Sequence, residues 1–233
     1  MKLCVIPARG GSKRIPRKNI RDFCGKPMIA WSIEVAHASS CFDQVIVSTD
    51  DEEIAEVALH WGAEVPFRRP VELSGDFAGT TPVISHAVQW FLDSGREIEA
   101  VCCLYATAPF VEPSEIRCGL DLLMQMANNR FVFTATPYPF PIQRALGIDP
   151  VSGDAFMWHP ENFDTRSQDL ESSYHDCGQF YWGRSQAWLE SSNLFEGSRP
   201  LILPRWRVQD IDTEDDWIQA EFMQQVLSQR HSR

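Results

Sequence analysis

A basic, glycine-containing segment near the N-terminus is the first group of residues that could do chemistry. The segment 8–19 has the sequence ARGGSKRIPRKN and directly follows an apolar run. Its two glycines allow the backbone to approach a ligand and could turn N–H groups toward it. Arg9, Lys13 and Lys18 could neutralise a polyphosphate, each charge-assisted hydrogen bond contributing about 1.5–3 kcal/mol. The spacing matches neither a Walker A motif nor GxGxxG, so a basic surface loop is the alternative.

A pair of aspartates near the C-terminus is the second such group. Asp210 and Asp212 are separated by Ile211. In an extended chain, residues two apart point to the same side, so both carboxylates could face one ligand while Ile211 faces the core. Two carboxylates together with substrate phosphates commonly hold Mg²⁺. Helix capping is the alternative, and it is the better interpretation for the acids at residues 214–216.

The distribution of charge supports an anion site in the N-terminal segment. Residues 1–26 contain eight basic side chains and one acid, which leaves 13 basic and 31 acidic residues elsewhere in a chain of net charge -11. A short positive segment in an acidic protein either holds an anion or forms a solvated surface. The overall acidity argues against a nucleic-acid partner.

Alternating strand and helix patterns must position these groups. Strands are predicted at residues 3–7, 44–48, 63–67, 100–104, 131–136, 178–182 and 201–203, and helices at 27–36, 49–61, 80–94, from 113, and at 213–227. This alternation predicts an α/β fold with three layers and a mostly parallel sheet. In such sheets ligands bind at the carboxyl ends of strands, which is where the segment 8–19 begins.

Length and composition predict one cytoplasmic domain spanning residues 1–233. The chain has no apolar run of about 18 residues, so no membrane partner is expected. The N-terminus has the wrong order of apolar and basic residues for a secretory signal. Seven cysteines include no CxxC pair, and Cys102 and Cys103 lie in an apolar run typical of the core. Residues 137–173, which begin with three prolines in five positions, are predicted to form an extended insertion.

The basic segment resembles the signature of the acylneuraminate cytidylyltransferases, in which AR, SK, IP and KN recur at the spacing seen in residues 8–19. The similarity continues in family order through residues 25–29 (GKPMI), 46–50 (IVSTD), 69–70 (RP), 72–73 (EL), 107–109 (TAP) and 210–214 (DIDTE). The resemblance implies a Rossmann-like nucleotidyltransferase fold, CTP as the donor of CMP, and a homodimer. It also implies that residues 137–173 serve dimerisation or cover the substrate.

Roles for individual residues follow from this resemblance, position by position. The expected catalytic residues are Arg9, Lys13, Lys18 and Asp212. The expected CTP-binding residues are Ala8, Arg9, Gly10, Gly11, Ser12, Lys13, Lys18, Asn19, Arg69 and Thr80. In the family the aspartate pair binds the metal, so Mg²⁺ is expected on Asp210 and Asp212.

Two departures from the sialic acid enzymes suggest a different sugar. Tyr105 stands where those enzymes usually have glutamine, and residues 175–178 read HDCG instead of RPNG. The stretches 140–146 and 175–183 are similar to a branch of the family that acts on pseudaminic acid. The expected sugar-binding residues are Tyr105, Thr107, Gln143, Arg144, His175, Gln179 and Tyr181.

The expected reaction is therefore transfer of CMP from CTP to the anomeric hydroxyl of a nine-carbon acidic sugar, pseudaminic acid, with release of pyrophosphate. Sialic or legionaminic acid is the first alternative. A nucleotide-binding module without catalysis is the second, and the presence of Arg9, Lys13, Asp210 and Asp212 argues against it.

Overall fold

The structure, a computed structural model, describes residues 1–190 and 193–231. The strands are β1 (Lys2–Pro7), β2 (Asp22–Phe23), β3 (Lys26–Pro27), β4 (Gln44–Ser48), β5 (Ala100–Leu104), β6 (Val132–Pro137), β7 (Leu146–Ile148), β8 (Ala155–Met157), β9 (Tyr174–Arg184) and β10 (Arg199–Ile202). The helices are α1 (Met28–Ser39), α2 (Glu52–His60), α3 (Thr80–Asp93), α4 (Pro113–Gln125), α5 (Ser185–Glu190) and α6 (Glu214–His231).

Six strands form the central sheet in the order β10-β6-β9-β5-β1-β4. The pairs β1–β4, β1–β5 and β6–β10 are parallel, whereas β9 lies antiparallel between β5 and β6. The predicted α/β fold with a mostly parallel sheet is confirmed. The direction of β9 was not predicted, because a buried apolar pattern is the same in both directions.

Both faces of the sheet are buried, since the central strands are apolar throughout. Cys4 and Ile6 face one cluster, packed by α1 and α4, while Leu3 and Val5 face the other, packed by α3 and α5. Adjacent residues therefore serve opposite layers, as the twofold repeat of a strand requires. The two neighbouring cysteines of β5 follow this rule and are fully buried, as predicted.

The strand predicted at residues 63–67 does not form, and this prediction was wrong. The segment makes one isolated parallel bridge, between Ile46 and Glu64. The Glu64 amide donates to Val45 and its carbonyl accepts from Val47, at 2.9 and 2.8 Å. Pro66 follows two residues later and has no N–H to continue a ladder, so pairing ends there.

Residues 137–173 contain short elements only. β7 and β8 pair antiparallel in a small sheet apart from the central one, and short 3₁₀ turns occupy residues 142–144, 160–162 and 167–169. Among the described residues no helix has both the length and the apolar character needed to cross a membrane.

Candidate active site

A cleft of about 590 Å³ opens where β1 and β5 end at the edge of the central sheet. The predicted site residues that line it are Arg9, Ser12, Lys13, Lys18, Asn19, Arg69, Thr80, Tyr105, Thr107 and Asp212. Residues from the N-terminal segment, from the loop before α3, from the end of β5 and from the C-terminal aspartate pair thus share one cavity.

Direct contacts join the N-terminal basic loop to the C-terminal aspartate segment. Lys18 Nζ donates to the Ile211 carbonyl at 2.6 Å and lies 3.4 Å from Asp212 Oδ1. Arg14, which the sequence did not single out, approaches the same oxygen at 2.9 Å. Ile211 is fully buried, as its place between two aspartates predicts. Cations and a carboxylate from opposite ends of the chain therefore meet at the cleft.

The basic loop is tied to the N-terminus of α2. Arg17 binds the carboxylate of Asp51 at 2.6 and 3.0 Å and also contacts Glu53. The hydrogen bonds from Arg17 hold the pKa of Asp51 below its usual value. Within the loop, Asn19 Nδ2 donates to the Arg9 carbonyl at 3.0 Å. These bonds fix the loop backbone and leave Arg9, Lys13 and Lys18 directed to the cleft.

The glycines of the loop do less for a ligand than the sequence suggests. The Gly10 amide donates to Asp50 at 3.0 Å, and a Cβ on Gly10 would lie 2.6 Å from an Asp51 oxygen. Gly10 thus permits close packing against α2. The sequence predicted that its N–H group could turn toward a ligand, but the group donates to Asp50 instead. Ala8 is buried, with its amide bonded to a carbonyl of β4. A Cβ on Gly11 would meet open space.

Asp76 is a cleft residue that sequence analysis missed. Its carboxylate bridges Arg9 at 2.7 Å and Lys13 at 2.5 Å. Hydrogen bonds from Lys13 and then from Arg9 lower the pKa of Asp76. The Lys13 side chain is 79% exposed, so these pairs are screened by water and weak. The acid occupies the place at which the two cations could receive a phosphate, and no motif marks it in the sequence.

Half-buried and buried polar side chains form the wall of the cleft beside α3. The Thr80 hydroxyl lies 2.6 Å from the Tyr105 hydroxyl, and burial raises the pKa of Tyr105 to about 12. Arg69 is also buried and bonds the backbone carbonyl and hydroxyl of Ser48. Burial lowers the pKa of Arg69 to about 10, which leaves it a cation at neutral pH.

Asp210 does not line the cleft and lies beside Gly178 of β9. Its carboxylate would be 3.8 Å from a Cβ placed on Gly178, which has φ +60. Burial, and then the charge of Asp212, raises the pKa of Asp210. A cation between these two carboxylates would relieve their repulsion, and their oxygens are the donors that Mg²⁺ prefers. Among the described residues no group of three or more His, Cys, Asp or Glu side chains is arranged to hold a metal, so substrate oxygens or water would complete the shell.

Five predicted sugar contacts do not line the cleft, namely Gln143, Arg144, His175, Gln179 and Tyr181. Gln143 and Arg144 bond backbone carbonyls within residues 137–173. Gln179 is 2% exposed and points toward Arg207, whose carbonyl it bonds at 3.4 Å. His175 bonds the Asp176 carbonyl at 2.9 Å and packs on Tyr138. Only Tyr105 and Thr107 of that set reach the cavity.

The sheet and its cleft define the class of protein, an α/β fold with a cavity at the strand ends, where open α/β sheets bind ligands. A solved structure of CMP:2-keto-3-deoxy-manno-octonic acid synthetase complexed with CTP has the same fold, with a TM-score of 0.70 at 18% identity, covering 98% of this chain and 99% of that one. A family model described as cytidylyltransferase matches residues 3–140. The chain belongs to the cytidylyltransferase family.

Two curated relatives match over the full length. Pseudaminic acid cytidylyltransferase of Campylobacter jejuni is 46% identical over 225 residues, with 96% of each chain covered. CMP-N,N'-diacetyllegionaminic acid synthase of Legionella pneumophila is 32% identical over 232 residues, again with 96% of each covered. The resemblance to the acylneuraminate cytidylyltransferases stated from the sequence is therefore confirmed.

Proposed function

We propose that this cytidylyltransferase transfers CMP from CTP to pseudaminic acid and releases pyrophosphate. One observation carries the choice of sugar, namely the 46% identity over 96% of both chains with the Campylobacter jejuni enzyme of that name. The legionaminic acid enzyme covers the same share at 32%. Tyr105, at one of the two places where the sequence departs from the sialic acid enzymes, lines the cleft, and a contact from it to the sugar would be consistent with this choice.

The chemistry requires one bond to form and one to break. The anomeric oxygen of the sugar bonds to the α-phosphorus of CTP, its hydroxyl proton passes to the solvent, and pyrophosphate leaves with the electron pair of the bridging bond. Such transfers depend on positioning and on neutralising charge. Arg9 and Lys13 lie where they could stabilise the leaving pyrophosphate. Lys18, held at Ile211 and Asp212, could orient the phosphate nearest the C-terminal segment.

Mg²⁺ belongs to this proposal, with Asp210 and Asp212 as its protein ligands. When bound, the ion would neutralise the α-phosphate and lower the pKa of the attacking hydroxyl. Burial, and then the charge of Asp212, raises the pKa of Asp210, and a cation held by the two carboxylates would favour their ionised forms. The basic residues of the cleft supply the remaining charge for the triphosphate.

We also infer a homodimer formed through residues 137–173. Several large apolar side chains of this segment face solvent, including Phe140, Trp158 and Phe163. An exposed apolar surface of this kind is typical of a protein interface. We place the enzyme in the cytoplasm, because all seven cysteines are free thiols, several of them in the core.

One assay tests the proposal against its alternatives. Purified protein is incubated with CTP, Mg²⁺ and, separately, pseudaminic, legionaminic and sialic acids, and pyrophosphate release is measured. We expect release with pseudaminic acid at a kcat/KM at least about tenfold above the other sugars, the range that a few polar contacts provide. Preference for another sugar would select the corresponding alternative. CTP binding without release from any sugar would indicate a module without catalysis.

A further inference from the structure

One buried side chain, Arg207, joins the aspartate segment (residues 207–212) to the start of α4. Its guanidinium donates to the Phe110 carbonyl at 2.7 Å and to the Glu115 carboxylate at 2.8 and 3.2 Å. It also lies 3.1 Å from a carboxylate oxygen of Glu112, and the side chain is 9% exposed. Arg207 has no part in the reaction described above, yet its charge is fully engaged by residues from another part of the chain.

The acceptors of Arg207 are themselves held in place. Glu112 and Glu115 form the capping box of α4, in which the Glu112 amide donates to Glu115 Oε2 at 2.9 Å. Burial raises the pKa of Glu115, and the hydrogen bond from the Glu112 amide and the charge of Arg207 act in the opposite direction. Because each buried charge depends on its partner, the ion pair fixes one geometry between α4 and the aspartate segment.

Arg207 and Lys18 anchor the aspartate segment near its two ends. Lys18 Nζ donates to the Ile211 carbonyl at 2.6 Å, and the Arg207 guanidinium holds the other end. Among the described residues, the backbone groups of residues 208–210 form hydrogen bonds only within the stretch 205–210. The position of the first aspartate of the pair therefore depends on these two anchors.

The same guanidinium fixes one wall of the cleft. Phe110 ends the loop 105–110 that leaves β5, and this loop brings Tyr105 and Thr107 to the cavity. Arg207 thus sets the separation between the loop and the aspartate segment, whose Asp212 lines the same cavity. Arginine suits this place because its planar fork engages a carbonyl and a carboxylate at once, whereas lysine offers a point charge on a flexible stem.

We propose that Arg207 is a positioning residue, which holds Asp210 and Asp212 where they meet the metal ion and the triphosphate. The inference rests on the proposed function, because it takes CTP with Mg²⁺ as the ligand of the cleft. Arg207 itself does not line the cleft and acts through the backbone of the aspartate segment. Its loss should therefore weaken metal binding and slow the chemical step, and leave the cations of the N-terminal basic loop to bind the nucleotide.

The conservative substitution Arg207→Lys tests the proposal, because it keeps a cation beside Glu115 and removes the planar fork. Electron paramagnetic resonance gives the Kd of Mn²⁺ for the protein with CTP and without sugar. We expect this Kd to rise about tenfold or more, the range found when a residue that orients a metal ligand is replaced. In the pyrophosphate assay kcat should fall by a similar factor, while the KM for CTP changes less than about twofold. Added Mg²⁺ should restore part of the rate.

Two further variants control the result. Arg205→Lys makes the same chemical change at an exposed position of the same 3₁₀ turn and should alter neither the Kd of Mn²⁺ nor kcat. Glu115→Gln keeps an oxygen for the Glu112 amide and removes the charge that pairs with Arg207, so it should show the same pattern at smaller size. Circular dichroism shows whether each variant is folded, and Glu115→Gln decides the question if Arg207→Lys is not.

Wild-type Mn²⁺ affinity and kcat in folded Arg207→Lys would overturn the proposal, because Arg207 would then be a structural tie. A raised KM for CTP with unchanged Mn²⁺ affinity would also overturn it, since the effect would lie in nucleotide binding. A wild type that binds Mn²⁺ with CTP but releases pyrophosphate with no acidic sugar would contradict the proposed function alone. The Mn²⁺ titrations would still decide the inference in that case, because they contain no sugar.

Discussion

The cleft region and residues 137–173 differ in how their side chains are satisfied: those of the cleft are paired within the chain, and those of residues 137–173 are exposed to solvent. Around the cleft, charged groups are paired within the chain, as Arg17 is with Asp51 and Lys18 with the Ile211 carbonyl. In residues 137–173, aromatic side chains stand in solvent, with Phe140, Trp158 and Phe163 78%, 62% and 69% exposed. The family match ends at residue 140, close to the boundary between the two.

This contrast separates a cleft that one chain forms by itself from an apolar surface that one chain leaves uncovered. The cleft region has its cations, carboxylates and packing in place within one chain. Residues 137–173 expose several large apolar side chains to water, which is typical of a surface that binds another protein. Changes at the cleft should therefore alter chemistry or nucleotide affinity, and changes on the exposed segment should alter assembly first.

The largest effect is expected for Asp212→Ala. The variant removes the carboxylate that meets Arg14 and Lys18 and that we assign to Mg²⁺. We expect kcat to fall about a hundredfold or more, because a preorganised charge at the reacting group is lost. Asp215→Ala removes an exposed neighbouring acid and should keep wild-type kcat. Equal activity in both variants, each folded by circular dichroism, would remove Asp212 from the catalytic machinery.

A double variant of β7 should change assembly and leave the nucleotide site intact. Leu146→Glu with Ile148→Glu places two charges on neighbouring exposed apolar positions of that strand. We expect sedimentation to show a dimer for the wild type and a monomer for the variant, with dimer affinity at least about tenfold weaker, because charges must be desolvated in an interface. CTP affinity should change less than about twofold.

The matched control for assembly is Leu59→Glu, on an exposed position of α2 outside residues 137–173. It adds a charge on the surface and should leave the dimer unchanged. Dissociation by Leu59→Glu, with none by the β7 variant, would move the interface away from residues 137–173.

A smaller effect in the opposite direction is expected for Asp76→Asn. The substitution removes the carboxylate that competes with phosphate for Arg9 and Lys13. We expect calorimetry at low salt to show that pyrophosphate and CTP bind about three- to tenfold more tightly. The gain in affinity should shrink at higher salt, because salt screens the charges. Asp93→Asn, on the exposed end of α3, serves as control. Weaker binding in Asp76→Asn would instead make Asp76 a support for the two cations.

The smallest effect is a loss of stability in Asp51→Asn. Asparagine still caps α2, so the variant removes mainly the ion pair with Arg17. Since the folded pKa of Asp51 lies below its ordinary value of 3.8, the pair stabilises the fold above that pH, and its contribution is lost as pH falls through the folded pKa. Urea unfolding should show a loss of about 1 kcal/mol at pH 7 that shrinks progressively as the pH falls below 3.8. A loss that stays the same as the pH falls below 3.8 would assign the effect to the cap.

Sequence patterns predicted the elements best where burial alone decides them. β4 and β5 have the predicted bounds, because a continuous apolar run between polar turns permits one interpretation. The meeting of the basic loop with Asp212 was also expected, since the site had to lie at the strand ends. Residues 63–67 were predicted to form a strand from their composition, but Pro66 has no N–H group and ends the pairing.

Contacts between residues far apart in the chain could not be predicted from the sequence. Asp76 reaches Arg9 and Lys13 only because the loop before α3 returns over β1. Asp176 reaches Tyr181 through a bulge whose register depends on β6 as well as β9. Neither spacing nor periodicity records such partners, because they arise from the packing of whole elements.

The place of β9 in the sheet has a consequence for how the chain is made. β9 is the ninth strand in sequence, yet it is the bridge between β5 and β6. In a nascent chain that has emerged only to residue 140, the edge of β5 that pairs with β9 in the folded protein would have no partner. Such an edge can recruit another chain, and it stays open until the whole of residues 137–173 has been synthesised and β9 can insert. Slow translation through that segment would therefore prolong the interval in which the growing polypeptide is prone to aggregate.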